Sequence, residues 1–73
     1  MPFVRIDWFP GRTLAQKREV IEVLTRELSR IAKCRPETVN VIFTDVARED
    51  WGRAGKLFAD EYEYEYEVEP QRP

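Results

Sequence analysis

Directly behind the initiator methionine stands a proline, Pro2. Removal of Met1, which a small second residue permits, leaves Pro2 as a free secondary amine, the only one a ribosomal chain can carry. A chain-terminal amine titrates at about 7.7–8.0 and a secondary amine is intrinsically more basic, so in water it is mostly protonated. Among apolar side chains the charged form is disfavoured, and the amine becomes a base poised near neutral pH. Such a base can take a proton from an enol or from carbon and return it to another carbon. The chemistry needs no metal, nucleotide or flavin, and no cofactor is expected: histidine is absent and Cys34 is the only cysteine. With no histidine to activate it, Cys34 reads as a small filler near a helix end rather than a nucleophile. The structural alternative for Pro2 is a proline in second place with no catalytic task.

The elements around this amine follow from periodicity. Alternation over residues 2–9 puts Pro2, Val4, Ile6 and Trp8 on one face of a strand and Phe3, Arg5, Asp7 and Phe9 on the other, in line with a buried amine. Pro10-Gly11 breaks the strand, and Thr13 with Gln16 has the form of a capping box, which predicts a helix over 14–33. Leu14, Ile21, Leu24, Leu28 and Ile31 trace one apolar stripe, widened by Val20 and Ala32. Glu22 and Arg26 are spaced to pair on the wet side, and Arg30, Lys33 and Arg35 crowd the negative end of the helix dipole. Residues 39–46 are β-branched and mostly apolar and read as a strand buried on much of both faces. Strand, helix, strand is a βαβ unit with parallel strands and a right-handed crossover, so the fold class is α+β. Residues 47–59, with Gly52 and Gly55, read as a small hairpin. This divides the chain into a βαβ domain over 1–59 and an acidic Glu/Tyr tail over 60–73. The alternation from Glu61 to Glu69 suits an added strand with Tyr62, Tyr64, Tyr66 and Val68 on one side, and its charge suits a disordered tail equally.

A chain of 73 residues buries only about 60% of its unfolded surface, and this one has no disulfide or structural metal to staple it. Two strands and one helix also leave open sheet edges and one uncovered sheet face. Copies of the same chain are the simplest source of the missing contacts. Residues 1–59 hold eleven Lys/Arg against eight Asp/Glu, and residues 60–73 hold six acids against Arg72. A mildly basic body suits a small anionic substrate, and without a basic cluster interleaved with aromatics it offers no nucleic-acid surface. No run of apolar residues is long enough for a membrane span and residues 1–5 form no signal peptide, which gives the expectation of a soluble cytoplasmic protein.

Pro2 at the head of a strand, Gly11-Arg12 before a capped helix with Gln16-Lys17, a Val-x-Val-Ile strand ending Thr44-Asp45, and the aromatic-glycine pair Trp51-Gly52 together resemble the 4-oxalocrotonate tautomerase family. The resemblance covers residues 2 to about 59. It implies that Pro2 is the general base, that Arg12 binds a substrate carboxylate, and that Trp51 lines the pocket and excludes water. A second family arginine, which polarises the carbonyl oxygen from a neighbouring subunit, aligns with Asn40. This is a departure: asparagine donates a hydrogen bond without charge, which passes oxyanion stabilisation to a weaker donor or to Arg53 or Lys56. The resemblance further implies a trimer of dimers with sites at subunit boundaries. Trp51 and the Arg12 cation beside Pro2 would both lower its pKa toward neutrality. Arg12 and Trp51 have structural alternatives as turn decoration and interface packing.

Two functions follow from these residues. One is a tautomerase or isomerase that shifts a proton in small unsaturated 2-hydroxy or 2-oxo acids. The resembled family also includes dehalogenases and decarboxylases, several of which use a proline that stays protonated beside a carboxylate; Asp7 and Asp50 are candidate partners here, though neither matches a position of that motif. The other is a non-catalytic subunit of a tautomerase-like oligomer, motivated by Asn40 and the added tail.

Overall fold

The alternation of the first residues becomes β1, Phe3–Trp8, in which Phe3, Arg5 and Asp7 are exposed and Val4, Ile6 and Trp8 are half-buried. The computed structural model describes residues 1–61 and continues with α1 (Leu14–Ala32), β2 (Asn40–Asp45), the two-residue strands β3 (Gly52–Arg53) and β4 (Lys56–Leu57), and α2 (Phe58–Glu61). Short 3-10 turns occupy Pro36–Thr38 and Arg48–Asp50. The strand or disordered tail expected from the Glu/Tyr alternation lies, apart from Glu61, outside the described residues.

β1 and β2 pair in parallel with Val4 opposite Val41, Ile6 opposite Phe43 and Trp8 opposite Asp45. Opposed residues share a face, so the side chains of Val4, Val41, Ile6, Phe43 and Trp8 stand together on the face that α1 covers. The hydrogen bonds Asn40 N–H to Pro2 carbonyl (2.9 Å) and Val46 N–H to Trp8 carbonyl (2.8 Å) fix both ends of this register.

The helix begins where the capping box predicts. Thr13 Oγ1 accepts from Gln16 N–H at 3.1 Å and Gln16 Oε1 accepts from Thr13 N–H at 2.8 Å, so two of the orphan donors of the first turn are satisfied reciprocally. At the other end Lys33 is not helical but adopts the left-handed conformation, φ 57°, and its N–H returns to the Ser29 carbonyl. The expected Glu22–Arg26 pair does not form. Arg26 turns instead to Glu27 at 3.5 Å, and Arg30 holds the same carboxylate at 2.6 Å.

The sheet corrects one further expectation. β2 is covered on one face only, leaving Ile42 44% exposed, beside Phe3 at 61% on the same open face. Leu14, Ile21, Val23 and Ile31 of α1 are also exposed, and the only buried hydrophobic residue among the described ones is Phe58. The apolar pattern is therefore that of a protein with more faces to bury than one copy can cover.

The hairpin turns on Ala54 (φ 57°) and Gly55 (φ 78°), a two-residue connection with both φ positive, as primed turns require. It folds back so that Phe58 N–H donates to the Trp51 carbonyl at 2.9 Å and the Phe58 ring packs on Phe9 and Trp51 at 5.0 and 6.2 Å. Phe9, expected on the strand face opposite Val4 and Ile6, is thus recruited into a small aromatic cluster beyond its end.

Candidate active site

Pro2 stands at the N-terminal end of β1, half-buried, with its carbonyl held by Asn40 N–H. Arg12 and Trp51 lie at the other end of the same strand. The six steps from Pro2 to Trp8 at about 3.3 Å each span roughly 20 Å, so one chain does not bring its own Pro2 to its own Arg12.

Arg12 is anchored from two directions. Its Nη1 donates to the Phe9 carbonyl at 3.1 Å, and its guanidinium carbon lies 5.1 Å from the centroid of the Trp8 ring. With Trp8, Gln16, Glu19, Val20, Val23 and Leu24 it lines an open groove of about 490 Å³ between the end of β1 and one side of α1. A guanidinium beside an apolar wall can hold a carboxylate while the rest of a small molecule rests on hydrocarbon.

Trp51 packs its ring against Phe9 at 4.4 Å and lines a separate cleft of about 350 Å³ with Asp7, Val46, Asp50 and Gly52. Arg12 and Trp51 therefore meet at Phe9, one at its carbonyl and the other at its ring, but face different clefts of the single chain. Arg53 sits on β3 with its guanidinium 5.0 Å from the Phe58 ring, and Arg48 lies 5.0 Å from the ring of Phe9. The aromatic cluster is flanked by two cations.

Asn40 heads β2, and its Nδ2 donates to the Thr38 carbonyl at 3.2 Å. The register pairs it with Phe3, so its side chain stands on the Phe3–Arg5–Asp7 face, across the sheet from Val4 and Ile6. Asp7 is turned toward Arg5 at 4.0 Å. Among the described residues no group of His, Cys, Asp and Glu is placed to hold a metal ion, and no helix is long and apolar enough to cross a membrane.

Two residues gain importance that their sequence positions did not announce. In sequence Trp8 reads only as an apolar strand residue, yet it underlies Arg12; Phe9 reads only as a residue of the opposite strand face, yet it joins Arg12 to Trp51. An aromatic pair three and four positions before an arginine was the available signal.

The comparisons with known proteins bear on the family and the fold. Residues 2–61 match the family described as tautomerase enzyme. A probable tautomerase of Ralstonia nicotianae is 36% identical over 61 residues, 84% of this chain and 94% of the relative. A probable tautomerase of Streptococcus agalactiae is 40% identical over 57 residues, 78% of this chain and 95% of the relative. Among solved structures, a 4-oxalocrotonate tautomerase homologue superposes with a TM-score of 0.76 at 33% identity, over 86% of this chain and all of that one. A 4-oxalocrotonate tautomerase isozyme of Methylibium petroleiphilum gives 0.75 at 27% identity, over 81% and 92%. On its sequence, its βαβ architecture and these relatives, the chain belongs to the 4-oxalocrotonate tautomerase family and has the tautomerase or isomerase role that defines it.

Proposed function

We propose that the protein shifts a proton in small unsaturated 2-hydroxy or 2-oxo carboxylic acids, with the amine of Pro2 as general base and no cofactor. The observation that supports this most is the head of β1. The Pro2 carbonyl is pinned by Asn40 N–H at 2.9 Å while Met1 is 79% exposed, so the proline is held in place and the methionine is open to removal. Once freed, the amine takes the enol proton and delivers it to carbon, a transfer within reach of a positioned base.

Arg12 binds the substrate carboxylate by charge-assisted hydrogen bonds, and Trp51 closes the site against water. Asn40 or Arg53 supplies the donor for the developing enolate oxygen. The separation of Pro2 from Arg12 along β1 supports sites built between copies of the chain, as do the exposed Phe3, Ile42, Leu14 and Ile31. A homo-oligomer, in the family's manner a trimer of dimers, meets both requirements.

The test is ultraviolet monitoring of ketonisation of 2-hydroxymuconate and phenylenolpyruvate by protein whose intact mass confirms a Pro2 terminus. Pro2→Ala, likewise processed, is expected to lower kcat/KM by at least about tenfold, the range for loss of a positioned general base. A primary amine remains, so activity need not vanish. Equal kinetics in wild type and variant would remove Pro2 from the mechanism, and a processed wild type inert on both enols would favour the non-catalytic subunit.

A further inference from the structure

Around the C-terminal end of β1 a set of side chains is interlocked beneath Arg12. The Trp8 ring stacks on Phe43 with centroids 4.8 Å apart and planes 3° from parallel. Its Nε1 donates to Asp45 Oδ1 at 2.9 Å, which fixes the remaining rotation of the indole. The other oxygen of Asp45 lies 3.7 Å from Lys17 Nζ, and that ammonium in turn sits 6.0 Å from the centroid of Phe43. β1, β2 and α1 each contribute to holding one aromatic plane, and on that plane rests the guanidinium of Arg12, 5.1 Å from its centroid.

Two consequences follow for Arg12. Tied at Nη1 to the Phe9 carbonyl and laid on a ring that cannot turn, it is held near one conformation, so less freedom is lost when it binds an anion. Asp45, a carboxylate on the same face, has one oxygen taken by the Trp8 N–H and the other by Lys17, and Arg12 forms no ion pair among the described residues. Its charge stays available to a ligand. Trp8 is half-buried like Val4 and Ile6 on the same face, but of these three it alone lines the groove together with Arg12.

We infer that Trp8 is a positioning residue for Arg12, a platform that holds the guanidinium ready for a substrate carboxylate, with Phe43, Asp45 and Lys17 as its supports. This rests on the reading of Arg12 as the carboxylate-binding residue. The platform acts on binding of the charged group and has no part in proton transfer.

Steady-state ketonisation of phenylenolpyruvate and of its methyl ester, which keeps the enol and loses the charge, separates the possibilities. Trp8→Leu is expected to raise KM for the acid about three- to tenfold, the range for loss of a cation–π contact, with kcat within about twofold and the ester unaffected. Trp8→Phe, which keeps an aromatic face, should recover most of the loss. In the Arg12→Ala background Trp8→Leu should add nothing, because it acts only through Arg12. If Trp8→Leu harms acid and ester equally, or adds its full effect to Arg12→Ala, Trp8 is a packing residue and the inference fails while the reading of Arg12 stands. If Arg12→Ala itself does not distinguish acid from ester, both fall. Should Trp8→Leu not assemble, Trp51→Phe leaves Trp8 as the sole indole, since the chain has two tryptophans. Its emission should then respond saturably to phenylpyruvate, and lose that response with Arg12→Ala; an emission indifferent to the ligand overturns the platform.

Discussion

The charge missing at position 40 is the sharpest question at the scale of single residues. Asn40 spends one amide hydrogen on the Thr38 carbonyl at 3.2 Å, closing the turn that leads into β2. What remains for a substrate oxygen is one neutral N–H, a weaker stabiliser of a developing enolate than a cation. The register sets Asn40 beside Phe3, on the sheet face that α1 does not cover, so under the proposed function an arginine at this position would act in a site formed with a neighbouring copy. Asn40→Arg is expected to raise kcat about tenfold for phenylenolpyruvate, since a charge aimed at the oxyanion favours the transition state over the bound enol. The measurement is kcat in variants whose oligomer size is unchanged. If kcat stays level while Arg53→Ala abolishes turnover, Arg53 already provides the charge from its place beside Phe58.

At the scale of elements, the hairpin carries a local conflict between sequence and backbone. Ala54 adopts φ 57°, a region that costs a residue with a Cβ about 1–2 kcal/mol, at a turn position where asparagine before glycine is the preferred choice. Ala54→Asn is therefore expected to stabilise the protein by about 0.5–1 kcal/mol, read as a higher denaturation midpoint at fixed protein concentration. An unchanged or lower midpoint would mean that the hairpin does not limit stability. This turn also marks where local reasoning stopped. The Thr13–Gln16 cap, the alternation of β1 and the helix stripe were legible because each rests on residues within a few positions of one another. The two glycines disclosed a hairpin, but alanine gives no sign of a left-handed backbone. The Trp8 cluster was hidden for a different reason: Trp8, Phe43 and Asp45 meet only through the β1–β2 register, and Arg12 is anchored by a backbone carbonyl that has no signature in side-chain types.

At the scale of the whole molecule, the site and the assembly become one problem. Pro2 and Arg12 stand roughly 20 Å apart along β1, farther than an arginine side chain reaches, while exposed Phe3 and Ile42 mark a sheet face suited to another copy. If each site takes its amine from one chain and its guanidinium from another, two defective variants can repair each other. Pro2→Ala subunits keep Arg12, and Arg12→Ala subunits keep Pro2. Refolded together in equal amounts and mixed at random within a symmetric oligomer, about one quarter of the sites draw Pro2 and Arg12 both intact. The mixture is therefore expected to show about a quarter of wild-type kcat/KM on phenylenolpyruvate, well above either variant alone. Were both residues supplied by a single chain, every site would carry one lesion, and the mixture would give no more than the mean of the two variants. Native mass spectrometry of the refolded mixture verifies that both subunits share one oligomer, so a mean value in mixed oligomers would place Pro2 and Arg12 of the same chain in one site and contradict the distance along β1.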